Sequence, residues 1–214
     1  MTEKLNREMK EHKIVTAFHP DIEVFHTSYQ DLFYSFHAGD GYENFNDFLR
    51  KEAETCLHTG QGVTYLLINC ANDEGDLIGY FTITSTAIPY EDRQRNYDSP
   101  EEVPEGEAEF DIKLCGIPAL EIKMFAINQK YQDVFYKFED EELPVAVWIL
   151  KLIIAKAVEL SEQCIGFKAV FLHAIEEAES FYLKNGFRRI EYNMEPLHSV
   201  DSEFQAMYLP LYTI

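Results

Sequence analysis

No glycine stands between Gly116 and Gly166, so a long central stretch has no flexible loop of the kind that wraps backbone amides around a phosphate. The chain contains no GxGxxG, P-loop, GxSxG or HExxH pattern. That removes the dinucleotide, P-loop, serine-hydrolase and zinc-peptidase readings. Basic residues are scarce: 18 Lys and Arg stand against 38 Asp and Glu, for a formal net charge of −20. Nucleic-acid affinity rests on cations displacing counterions, so no nucleic-acid partner is expected. Long-range steering in such a field favours a cationic substrate.

Cysteine is also sparse. Cys56, Cys70, Cys115 and Cys164 form no CxxC pair, and we read them as reduced thiols in the core of a cytoplasmic protein. His19 and His26 lie seven residues apart across a proline and the other histidines are scattered, so no metal site is expected. The most apolar run, Leu143 to Leu160, is interrupted by Lys151, Lys156 and Glu159. It reads as a buried helix rather than a membrane span, and no membrane partner follows.

What is present suits one folded domain. Of 214 residues, 46% are hydrophobic and 14% aromatic, enough for a sizeable core. Residues 1–12 form a polar extension without signal-peptide character, and 13–214 read as a single domain. Strand-like IVTAF is followed by an aromatic stretch, Glu23 to Phe36, of helical or irregular character. Phe45, Phe48, Leu49 and Ala53 recur at helical spacing. Val63–Cys70 and Leu77–Ala87 read as a hairpin across an acidic turn. Residues 90–116, with DSPEEVPEGEAEFD, read as an acidic loop insertion, either merely solvated or a lid near a cationic substrate. Ala119–Asn128 is the central strand by pattern, and Val145–Gln163 a long helix with Pro144 in its first turn.

Phe167 to Phe187 is the most informative stretch. Lys168–Ile175 is an apolar strand, and Glu176 and Glu177 suit a helix N-terminus. Ala178, Phe181 and Tyr182 share a helix face, and Gly186 caps the helix. His173, inside the strand, reads as a hydrogen-bonded structural histidine. This AxxFYxxxGF stretch resembles the fifth strand and fourth helix of the GNAT N-acetyltransferase superfamily. GDGYENFNDFL, GDLIGYFTITSTAI and MYLPL follow in matching order, similar to the toxin-type members, and the match spans most of residues 30–211.

The resemblance implies an α/β (α+β) fold with a mixed, mostly antiparallel central sheet flanked by helices. It implies an acetyl-CoA-dependent N-acetyltransferase acting directly on a primary amine of a small molecule or protein, with a homodimer as a further expectation. Tyr182 would be the general acid toward the coenzyme A thiolate. Glu121 would be the base, although it also reads as a strand-end carboxylate facing solvent. Met124, Phe125, Ala126 and Ile127 on the fourth strand, with Ala178 and Phe181 on the helix, would hold acetyl-CoA. Packing is the competing role for the aromatic pair: Phe181 and Tyr182 would then simply seat the helix on the sheet.

The toxin relatives acetylate aminoacyl-tRNA, an activity the −20 charge argues against carrying over. One segment departs from the family. Where it has Q/R-x-x-G-x-G/A, this chain has Tyr131 to Pro144, rich in acids at Glu139 to Glu142, with Lys130 and Lys137 as the nearby cations. That departure sustains a second reading, a catalytically degenerate GNAT-fold binding or regulatory protein.

Overall fold

A computed structural model describes residues 13–71, 75–95, 110–194 and 204–212. The polar extension 1–12 and most of the acidic stretch, 96–109, lie outside the described residues. The chain forms two compact units: residues 1–81 with 124–153, and residues 82–123 with 154–214. Two long strands, β4 (Leu77–Arg95) and β5 (Phe110–Ile127), and the helix α4 (Val145–Gln163) run from one unit into the other.

In the first unit, β2 (Pro20–Val24) pairs antiparallel with β3 (Val63–Asn69), which borders β4. Helices α1 (Gln30–Ser35), α2 (Glu43–Asp47) and α3 (Ala53–His58) supply the apolar cover, with a π-helical turn at Phe48–Glu52 joining the last two. The helical spacing read from the sequence is realised: Phe48, Leu49 and Ala53 are buried with Leu66, Ile68 and Leu77. Each such large apolar side chain contributes roughly 1.5–3 kcal/mol on burial. Tyr80 lies fully buried among them, edge-on to Phe36 and stacked on Phe48. Its hydroxyl donates to the Phe45 carbonyl at 2.8 Å, which satisfies the polar atom that this ring carries into the core.

Gly79 explains how closely β4 and β5 approach here. A Cβ at that position would sit 2.4 Å from the Ala126 carbonyl oxygen, so only glycine fits.

In the second unit, β8 (Ala169–Ile175) runs parallel to β5, with Ala119–Ile122 opposite Ala169–Leu172. β10 (Phe204–Pro210) pairs antiparallel with β8 along its whole length, and β9 (Arg188–Arg189) pairs with β10. The strand order β2-β3-β4-β5-β8-β10-β9 makes a mixed, mostly antiparallel sheet of the GNAT type. One face carries Ile88, Ile117, Ala119, Ala169, Phe171, Ala206 and Tyr208.

Several expectations change. The strand read at 77–87 extends to Arg95, and β5 begins at Phe110, so both ends of the expected 90–116 loop are strand. The end of β4, EDRQR, shows no apolar alternation and so gave no strand signal, whereas FDIKL at the start of β5 alternates but follows an acidic, proline-containing run. Residues 134–144 are a hairpin, β6 (Val134–Phe138) and β7 (Glu141–Pro144), completing a separate sheet with β1 (Lys13–Val15) parallel to β6. Pro144 ends β7 just before α4 rather than standing in its first turn. Of the cysteines only Cys56 is buried; Cys70 and Cys164 are exposed, and all four are free.

Candidate active site

Helix α5 (Glu176–Lys184) follows β8 directly, with Glu176, Glu177 and Glu179 in its first turn against the helix's partial positive end. Gly186, at φ +90°, closes it, and the Phe187 amide donates to the Tyr182 carbonyl at 3.1 Å. These features hold Tyr182 at 8% exposure, edge-on to Phe181 and Phe187. Burial alone pushes its phenol well above the ordinary tyrosine value. Ala178 and Phe181 stand half-buried on the same helix.

Glu121 is also in the second unit, at the β5 position paired with Phe171. It shares the sheet face of Ala119 and Phe171, as strand alternation requires. Its side chain is 18% exposed, and Oε1 lies 3.8 Å from His173 Nδ1. Glu121 is thus no strand-end carboxylate facing water. His173, expected to be a satisfied structural histidine, has a buried Nε2 without a hydrogen-bond partner among the described residues. Phe171 packs edge-on against its ring. Sequence reading missed this pair because only the parallel register of β5 and β8 brings residues 121 and 173 together.

Met124, Phe125, Ala126 and Ile127 belong to the first unit. Met124 and Ala126 pack into its core, while Phe125 is half-buried. The Ile127 carbonyl accepts from Gln132 Nε2 at 2.9 Å, and the Asn128 amide donates to the Ile78 carbonyl at 2.7 Å. The end of β5 is therefore tied down by its own neighbours.

The segment after β5 turns its polar groups inward. Tyr131 donates to Asp76 Oδ2 at 2.6 Å and lies within reach of Asn69 Nδ2 at 3.4 Å. Desolvation, with Asp76 second, raises the Tyr131 phenol to about 12. Lys130 is ion-paired with Asp76, and Lys137 stands opposite Glu142 in the hairpin. Asp133 and Glu139 occupy left-handed backbone at φ 56° and 53°, positions that usually favour glycine. Among the described residues no cluster of His, Cys, Asp or Glu could hold a metal, and no helix is long and apolar enough to cross a membrane.

No family model matches the chain, and no curated protein matches it. Solved structures do. A bacterial toxin is 17% identical over 90% of this chain and 91% of its own, with a TM-score of 0.57. AtaTR bound with AcCoA is 20% identical over 89% and 93%, with a TM-score of 0.56. AtaT complexed with acetyl-methionyl-tRNAfMet is 18% identical over 90% and 95%, also at 0.56. At such identities the likeness is one of fold, and the fold is that of the toxin-type GNAT acetyltransferases.

Proposed function

We propose that the chain is an N-acetyltransferase that uses acetyl-CoA and passes the acetyl group directly to a primary amine. The observation that carries this reading is the placement of Tyr182: a phenol at 8% exposure on the short helix that follows β8, within the AxxFYxxxGF stretch. The AcCoA-bound AtaTR neighbour, with the same fold, supports the choice of co-substrate. Acetyl-CoA supplies the activated thioester. Glu121, with His173 beside it, takes a proton from the acceptor ammonium, freeing the nitrogen lone pair for attack on the carbonyl carbon. Tyr182 gives its proton to the thiolate as the carbon–sulfur bond breaks; the nitrogen sheds its second proton to water as the amide forms, and Tyr182 recovers one from solvent. Side chains of Ala178 and Phe181, on the helix that carries Tyr182, would grip the pantetheine arm. That grip matters more in a chain without a glycine loop for the pyrophosphate.

We take the acceptor to be a small-molecule or protein amine, on the strength of the −20 charge. The AtaT complex with acetyl-methionyl-tRNAfMet is the counter-case, so charged tRNA belongs in the acceptor panel. Acetylation of tRNA in preference to free amines would overturn this choice of acceptor.

Calorimetric titration with acetyl-CoA at low and moderate salt tests the reading. One micromolar site per chain is the expected result. No binding at high concentration would sink it in favour of a non-catalytic binding partner, which the acids at Glu139–Glu142 and the Lys130–Asp76 pair favour.

A further inference from the structure

The second unit contains a cavity of about 1020 Å³ that the acetyl-transfer chemistry above does not use. Its volume is at the upper end of small-molecule sites, roughly 300–1,000 Å³. Tyr90, Tyr208 and Tyr212 line it with Arg188, Glu191 and Asn193. Tyr208 and the lining residue Ile117 belong to the apolar sheet face described above. Glu121 and His173 continue that face along β5 and β8. Tyr208 pairs with Phe171, and Phe171 with Glu121. At about 4.8 Å per strand, the cavity floor lies about 10 Å from the Glu121 backbone.

The lining chemistry selects a ligand. Glu191 is exposed, and its Oε1 accepts from the Tyr208 hydroxyl at 3.0 Å, which orients the carboxylate. Half-buried Tyr90, and Tyr212 at 43% exposure, present aromatic rings. Rings beside a carboxylate suit a cation attached to an apolar or aromatic body. Asn193 Nδ2 donates to the Glu91 carbonyl at 3.4 Å, which fixes the amide's orientation. Its Oδ1 is buried and lacks a donor among the described residues, so the ligand contacts are left to the rings and Glu191. Arg188, the cation of the lining, stands beside the same Tyr208 hydroxyl that holds Glu191, so the site has room for one further positive charge and would repel a second.

We propose that this cavity binds an arylalkyl monoamine, with its ring against Tyr90 and Tyr212 and its ammonium on Glu191, and that it is the acceptor subsite of the enzyme. The acceptor role rests on the acetyl-transfer reading; the binding does not.

The test titrates the full chain, without acetyl-CoA, against phenethylamine, hexylamine, spermidine and 3-phenylpropionate, followed by calorimetry. Phenethylamine should bind roughly tenfold tighter than hexylamine, with no binding of the carboxylate. Glu191→Gln should weaken phenethylamine roughly tenfold. Arg188→Gln, at an exposed position, should raise spermidine affinity, which keeps the test open if Glu191→Gln fails to fold. Equal binding of phenethylamine, hexylamine and phenylpropionate, or no effect of either folded variant, would overturn the proposal. Acetyl-CoA is then added. Phenethylamine that binds but is never acetylated ends the acceptor role and leaves the binding site standing. Acetylation of other amines without phenethylamine binding ends the cavity assignment and leaves acetyl transfer standing.

Discussion

Tyr131 and Tyr182 are both buried phenols held protonated by desolvation, yet their surroundings differ in kind. Tyr131 sits in a network: its hydroxyl donates to Asp76, Asn69 is close by, and the same carboxylate holds Lys130. No hydrogen bond or charge contributes to the raised pKa of Tyr182. The region after β5 has committed its polar groups to hydrogen bonds and an ion pair of its own. In the region after β8, the Tyr182 hydroxyl has no hydrogen-bond partner among the described residues. A committed group rigidifies a fold, whereas an uncommitted one is available to a substrate.

Removing each group should separate these roles. Tyr182→Phe should lower turnover by about 10²–10⁴-fold while the thermal midpoint hardly moves; unchanged turnover would refute the acid role. Gly79→Ala forces a Cβ onto the Ala126 carbonyl oxygen and should destabilise the chain by about 3 kcal/mol in denaturant melts. Asp76→Ala strips the acceptor from Tyr131 and the partner from Lys130, costing about 1–3 kcal/mol. It should also raise acetyl-CoA affinity if the freed Lys130 reaches the phosphates. An unchanged affinity in calorimetry would show that Lys130 serves the network alone.

Alkaline pH compares the two tyrosines directly. Their folded pKa values lie above the unfolded value near 10, so the stability they contribute is full below about pH 10. It is lost as pH rises through their folded values, about 12 for Tyr131 and higher for Tyr182. In a spectrophotometric titration both should ionise only as the chain unfolds, after the exposed tyrosines. The smallest effect is expected at Arg189, which is exposed and paired with Glu179. Arg189→Ala should leave the thermal midpoint within error, as isolated surface pairs do.

Much of this was readable from residues alone where local pattern decides structure. Helix α4 matches its expected bounds, because a long apolar run follows a proline and gives way to Cys164 and Gly166. The β8–α5 unit was legible for the same reason, down to Tyr182 on its helix and Gly186 at its end. The β6–β7 hairpin was not, because its left-handed positions are Asp133 and Glu139 rather than glycine and its partner β1 lies far away in sequence. For the candidate site, Glu121 could be named but not its neighbour. His173 meets it only through strand register, which no local pattern encodes.

The peptide chain passes between its two compact units three times, within β4 after Phe81, within β5 after Lys123 and within α4 after Ile153. None of these passages is a linker that could be clipped, lengthened or used as a fusion joint. A fragment taken at any of them would cut a hydrogen-bonded element in half. Neither unit is therefore expected to be expressible by itself, and amides of β4, β5 and α4 should exchange with solvent as one cooperative block rather than as two.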